Sequence, residues 1–245
     1  MEDDILADLA CRYKWPKAIA VTGALGSGKT EFVLNLARGL KKTGNTVTIA
    51  DADIINPYFC IRQITEFLEQ EGFSIINPPD SAKWSDMSVI NSHIGAALID
   101  SAHHLIIDVG GDAGGVMALK QFEPDIRAAG YKLLLIVNAY RPKTSTPEGI
   151  ADMVMRMEAL GGLSVGALIS NSHLMDKTLP IDVADGLDVV LEAGRGLNLP
   201  VLYATVLPEL YRETDLLMKE RKYEIPLWPM TRFMKRPWEG SEMWS

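Results

Sequence analysis

Cysteine is nearly missing from this chain. The two present, Cys11 and Cys60, lie far apart with no C-x-x-C spacing, so neither a disulfide framework nor a metal knuckle can be built within one chain, and a reducing cytoplasm fits. Positive charge is in deficit as well: 24 Lys and Arg stand against 32 Asp and Glu, for a net charge of −8. General nucleic-acid binding is not expected from that balance, because it needs a basic face to displace counterions; a local basic patch stays open. No apolar run approaches the roughly 18 residues needed to span a bilayer, and the opening Met1-Glu2-Asp3-Asp4 is acidic where a secretory signal is basic. Neither export nor membrane integration is expected, and no internal repeat is visible. The composition that remains, 47% hydrophobic and 23% charged over 245 residues, is that of an ordinary globular protein, and one α/β domain over 1–245 can take up the length.

The stretch around which the rest is organised is Gly23-Ala24-Leu25-Gly26-Ser27-Gly28-Lys29-Thr30. It satisfies G-x-x-x-x-G-K-[ST] at every fixed position, a match that chance supplies roughly once in a hundred chains of this length. Lys17 to Thr22 reads as a buried strand entering it and Glu31 to Leu40 as a helix leaving it. In that arrangement backbone N–H groups converge on one spot and the helix dipole adds partial positive charge, so phosphate binds there. Lys29 would reach the β and γ phosphates, and the Thr30 hydroxyl would ligand Mg²⁺.

Apolar runs of strand length recur, most of them separated by helix-length segments, which predicts a doubly wound, mainly parallel sheet of about seven strands with helices on both faces. Ligands of such sheets bind outside the carboxyl ends of the strands. After the strand ending at Ala50 come Asp51 and Asp53, two apart and therefore on one side, where one could hold a Mg²⁺-bound water or orient the attacking water. Leu105-Ile106-Ile107 feeds Asp108, the Walker B form, and Gly110 and Gly111 let the backbone approach a γ-phosphate and move when it leaves. Each acid also has a plainer reading, since Asp at a strand end often serves a turn or cap. A third end, Ala167 to His173, concerns the base. Neither Asn138-Ala139-Tyr140-Arg141 nor Asn171-Ser172-His173-Leu174 has the Asp of the guanine motif N-K-x-D, so adenine is favoured and Asn171 is the candidate amide.

With these segments in this order, the chain resembles the P-loop ATPases typified by MinD, ParA, the nitrogenase iron protein and the CobQ/CobB group, from about Lys17 to Leu210. Asp51-Ala52-Asp53-Ile54-Ile55-Asn56 is similar to the D-x-D-x-x-N switch I of ParA-like proteins, which implies water activation and a Mg²⁺ contact for Asp53. Asp108 to Asp112 is similar to their switch II, and Ile169-Ser170-Asn171-Ser172 to the segment that holds adenine in the iron protein. The departures are equally specific. Ala24 stands where ParA-like loops carry the lysine that crosses the dimer, the cluster cysteines of the iron protein have no counterpart, the Cys-Pro-His motif of nickel metallochaperone GTPases is missing, and no basic membrane-anchoring helix ends the chain.

The resulting expectation is a cytoplasmic, Mg-dependent ATPase that switches shape on slow hydrolysis and acts on an unidentified protein partner or second substrate, a homodimer being one assembly open to it. Lys29, Asp53 and Asp108 are the expected catalytic residues, Thr30, Asp53 and Asp108 the Mg²⁺ set, and Gly23 to Thr30 with Gly111 and Asn171 the ATP contacts. Three alternatives stay open: a ligase or kinase resembling dethiobiotin synthetase, a metallocluster maturation accessory in which Cys60 meets its twin across a dimer, and an interaction module with negligible hydrolysis. Arg62, Arg127, Arg141 and Lys143 are candidates for a further phosphate-facing charge. The segment 225–245 reads as an irregular tail whose Trp228, Phe233, Trp238 and Trp244 are covered, preferably by this chain's own sheet.

Overall fold

In β1 (Ala18–Gly23) and β5 (Tyr131–Val137) alternate side chains enter two separate apolar clusters. Ala18, Ala20, Leu133 and Leu135 lie in one, and Ile19, Val21, Leu134 and Ile136 in the other. Side chains of a strand alternate between faces, so a continuous apolar run is satisfied only when both faces of the sheet are covered. The computed structural model describes residues 2–52, 61–77, 87–99, 103–111 and 113–234. Within them the remaining strands are β2 (Thr46–Ala52), β3 (Ser74–Ile76), β4 (His103–Val109), β6 (Val165–Ser170), β7 (Val201–Val206) and β8 (Leu227–Pro229). They form one eight-stranded sheet in the order β3-β2-β4-β1-β5-β6-β7-β8, every pairing parallel.

Helices alternate with the strands. They are α1 (Glu2–Cys11), α2 (Lys29–Lys42), α3 (Thr65–Gln70), α4 (Met87–Ile99), α5 (Ala113–Lys120), α6 (Glu123–Ala129), α7 (Pro147–Gly161), α8 (Pro180–Leu197) and α9 (Tyr211–Glu220). The longer of them start where their sequences allow: α7 has Pro147 in its first turn and Thr146 as its N-cap, whose hydroxyl accepts from the Gly149 N–H at 3.2 Å. Helix α1 lies outside the sequence expectation and packs on α2, with the Tyr203 hydroxyl donating to Leu9 O at 2.5 Å.

The expected mainly parallel sheet of about seven strands is present, with eight among the described residues. The extra one, β8, lies in the segment read as irregular, because three residues ending in Pro carry no visible alternation and an edge strand tolerates Pro. Its Trp228 is fully buried, edge-on to Tyr203 with centroids 4.9 Å apart and tilted against Phe32 at 6.0 Å. Own-chain packing is thus the answer for Trp228 and Phe233, and removing an aromatic so buried costs about 3–5 kcal/mol. Trp238 and Trp244 lie outside the described residues.

Because all strands are parallel, their carboxyl ends share one edge of the sheet. Strand β1 sits between β4 and β5, where the chain finishes one half of the sheet and begins the other, and the loops that leave in opposite directions open a crevice.

Candidate functional site

The loop between β1 and α2 occupies that crevice. Gly28 takes a left-handed conformation, φ 85°, as the residue that caps α2, and a Cβ there would run into Asn171 Nδ2. Lys29 begins the helix, buried and facing a cavity of about 670 Å³ that is also lined by Gly26, Gly28 and Thr30. The Thr30 hydroxyl donates to Asp108 Oδ2 at 2.6 Å. Register places Asp108 directly opposite Asp51 on β2, both fully buried, so the acids at two strand ends and the loop threonine converge. Gly111 closes the same corner: a Cβ on it would strike the Gly23 carbonyl, so the segment after β4 lies flat against the loop.

Asn171 also comes to the loop, although in a role the sequence did not suggest. Its Nδ2 donates to Ser27 O at 2.7 Å, its Oδ1 accepts from the Thr205 hydroxyl at 2.6 Å, and its backbone N–H donates to Val137 O. The side chain therefore ties the ends of β6 and β7 to the phosphate loop while also lining the cavity. Asn138, the other amide considered, organises its own loop: Nδ2 donates to His173 O, and Oδ1 accepts from the N–H groups of Tyr140 and His173. His173 lines the cavity too, and burial, with the Arg141 charge second, lowers its pKa to about 4, so it is a neutral ring near pH 7.

Of the four cations considered, Arg141 reaches the loop. Its Nε donates to Gly26 O at 3.0 Å and it faces the cavity. Arg127 is engaged elsewhere with Glu123 and Gly162 O, Lys143 is exposed and does not line the cavity, and the Arg62 side chain is outside the described set. Asp53, Cys60 and Asp112 also lie outside the described residues.

Three features of the site went unread in the sequence. Asp176, five residues past Asn171, stands on the cavity wall and pairs with Arg232 at 3.6 Å. Glu31, next to Thr30, turns its carboxylate to the C-terminal segment, accepting from the Phe233 and Met234 N–H groups at 2.8 Å each. Burial pushes that carboxyl up to about 7, against those two N–H groups and the Arg232 charge. Asn35, one turn on, exchanges two hydrogen bonds with the Thr231 backbone. The residue types were visible, but nothing local marks which distant segment each one meets.

The donor set fits a nucleoside triphosphate with a hard divalent cation. Glycines leave room for close backbone approach, a lysine and a helix N-terminus face the phosphate end, and a hydroxyl and a carboxylate oxygen sit side by side. No protein-family model and no curated protein matches the chain. Solved structures do match. The chain is similar to chloroplast FtsY from Physcomitrella patens at 17% identity and TM-score 0.55, over 82% of this chain and 65% of that one. It is similar to the cell division protein FtsY of Thermotoga maritima at 19% identity and TM-score 0.57, over 83% and 68%. A third is FlhF complexed with GTP and Mg²⁺, at 15% identity and TM-score 0.50, over 81% and 71%. The chain has the α/β P-loop NTPase fold. It spans just under two thirds of the length of the first of these structures, and identities this low establish the fold alone. Among the described residues no helix is long and apolar enough to cross a membrane.

Proposed function

We propose that the protein is a nucleotide-dependent switch that binds Mg·ATP at the loop Gly23–Thr30, hydrolyses it slowly and acts on a partner protein in one nucleotide state. The observation that carries this reading is the 2.6 Å bond from the Thr30 hydroxyl to Asp108, which brings the phosphate loop and the switch II acid to the point where a phosphate-bound cation would sit. Bound Mg²⁺ would offset the charge of the β and γ phosphate oxygens. The chain's own residues do the rest: loop N–H groups and Lys29 hold the phosphates, Thr30 and Asp108 orient the cation, and Asp53 aligns the water. Water oxygen attacks the γ phosphorus, the bond to the β–γ bridging oxygen breaks, and nucleoside diphosphate, phosphate and a proton leave. Gly111, against the loop, and Gly110 beside it give switch II the freedom to move with the γ-phosphate.

Adenine is preferred in this reading because N-K-x-D is absent and Asp176, a carboxylate on the cavity wall, is engaged by Arg232. The same Asp176 supports a second reading. A carboxylate on the cavity wall can accept from guanine nitrogens, and FlhF was solved with GTP. Titration of the purified protein with Mg·ATP and Mg·GTP in direct competition, followed by phosphate release, tests both. Tighter ATP binding with turnover is the expected result; tighter GTP binding moves the assignment to guanine, and binding of neither removes the switch.

A further inference from the structure

Helix α2 carries two polar side chains on one face, four residues apart, and both are turned to the C-terminal segment. Glu31 accepts from the Phe233 and Met234 N–H groups, and Asn35 donates to Thr231 O at 2.8 Å while accepting from the Thr231 N–H at 2.9 Å. Asn35 is fully buried, so this pairing is built into the core and is not an incidental surface contact. Together the two side chains offer an extended strand the partners that a neighbouring strand would offer. Trp228, locked between Tyr203 and Phe32, fixes the start of the segment.

The strap so held, Leu227–Met234, does not run over a closed surface. It forms one side of the 670 Å³ cavity, to which it contributes Met230, Thr231, Arg232 and Met234. The phosphate loop, the residues that follow β6, the end of β7 and the strap all contribute to the lining of that cavity. Arg232 then reaches across to Asp176 on the loop after β6, joining two walls that are otherwise far apart in the chain. A ligand with its phosphates on the loop would lay its nucleoside against the strap, where methionine side chains suit the faces of an aromatic base.

We propose that the strap is a functional wall of the nucleoside site and that Asn35 and Glu31 are positioning residues, so that nucleoside binding requires the strap to be docked on α2. This rests on the nucleotide-binding reading above. The helix that begins at the phosphate loop thereby carries, one turn later, the support of the nucleoside end.

Two probes separate the ends of the site in the full-length protein: Mg-tripolyphosphate, which needs only the loop, and Mg·ATP or Mg·GTP, which also needs the nucleoside wall. Asn35→Ala is expected to weaken nucleotide binding at least about tenfold, from the loss of its two hydrogen bonds to the strap, while tripolyphosphate affinity stays within about twofold of wild type. Arg232→Ala, which leaves the four strap bonds in place, should show the same split with a loss of about threefold or more, and it decides the matter if Asn35→Ala fails to fold. Hydrogen exchange at the Thr231, Phe233 and Met234 amides should slow on adding nucleotide and respond less to tripolyphosphate. Equal loss of both probes in the folded Asn35→Ala variant would show that the strap supports the loop alone, and unchanged nucleotide binding in both variants would show that it is no part of the site; either overturns the proposal. Failure of the wild type to bind nucleotide or tripolyphosphate would instead remove the nucleotide reading itself, and Lys29→Ala, expected to lose both probes, marks what that looks like.

Discussion

Asn171 donates its amide to the Ser27 carbonyl at 2.7 Å across 144 residues of chain, and the Thr205 hydroxyl holds the other end of the same amide at 2.6 Å. One side chain thus couples the ends of β6 and β7 to the shape of the phosphate loop. Asn171→Ala should therefore weaken Mg-tripolyphosphate as well as Mg·ATP, each by about ten- to a hundredfold for two lost buried bonds. Calorimetric titration with both ligands checks this. A variant that holds tripolyphosphate normally and only narrows the gap between ATP and GTP would assign Asn171 to the base and not to the loop.

Lys29 lines the cavity at the start of α2. Lys29→Ala should lower nucleotide affinity or turnover by about a hundredfold or more, through loss of charge stabilisation at the phosphates, with a circular dichroism spectrum like that of wild type. Normal turnover in the folded variant would place the chemistry elsewhere.

The two acids should fail differently. Asp108 accepts the Thr30 hydroxyl, so Asp108→Asn is expected to raise the Mg²⁺ concentration needed for half-maximal activity, by about tenfold or more. Asp53→Ala is expected to slow hydrolysis by about a hundredfold while changing ATP affinity little, as suits a residue that aligns water. Indistinguishable Mg²⁺ profiles for the two variants would undo this division.

His173 supplies a pH dependence of stability. Its folded pKa is lowered to about 4, while the unfolded chain takes up that proton near 6.5, about the ordinary histidine value. Between those values the unfolded state binds more protons, so stability rises with pH across the window and this group contributes no slope above it. The loss on going from pH 7 to pH 4 is at most about 3 kcal/mol. Urea midpoints for wild type and His173→Gln at both pH values isolate it: the wild type should lose more than the variant, and parallel losses would clear His173 of the effect.

Ala24 brings only a methyl group to the place where ParA-like loops carry their cross-dimer lysine, and Arg141 rests on the same loop through its bond to Gly26 O. Activity per chain is accordingly expected to stay constant on dilution, and Arg141→Ala to lower turnover about tenfold or more with a smaller effect on affinity. A steep fall in activity per chain on dilution would mean that a second copy supplies the charge.

What the sequence determined by itself is what contiguous residues encode. The phosphate loop is eight successive residues whose glycines and lysine act through their own backbone and adjoining helix, and the sheet follows from apolar runs whose continuity demands cover on both faces. Asp108 was legible because it ends such a run. What only the tertiary structure decided is which polar side chains meet. Asn171 with Ser27, Arg232 with Asp176, and Glu31 with Met234, the last pair 203 residues apart, are bonds between segments that share no period and no motif. A tail short of alternation looked irregular for the same reason: its order comes from a buried Trp228 and from two side chains on α2. Local chemistry announces the loop proposed to hold phosphate, whereas the wall that would receive the nucleoside exists only once the segment up to Met234 has folded back onto the helix that begins at the loop.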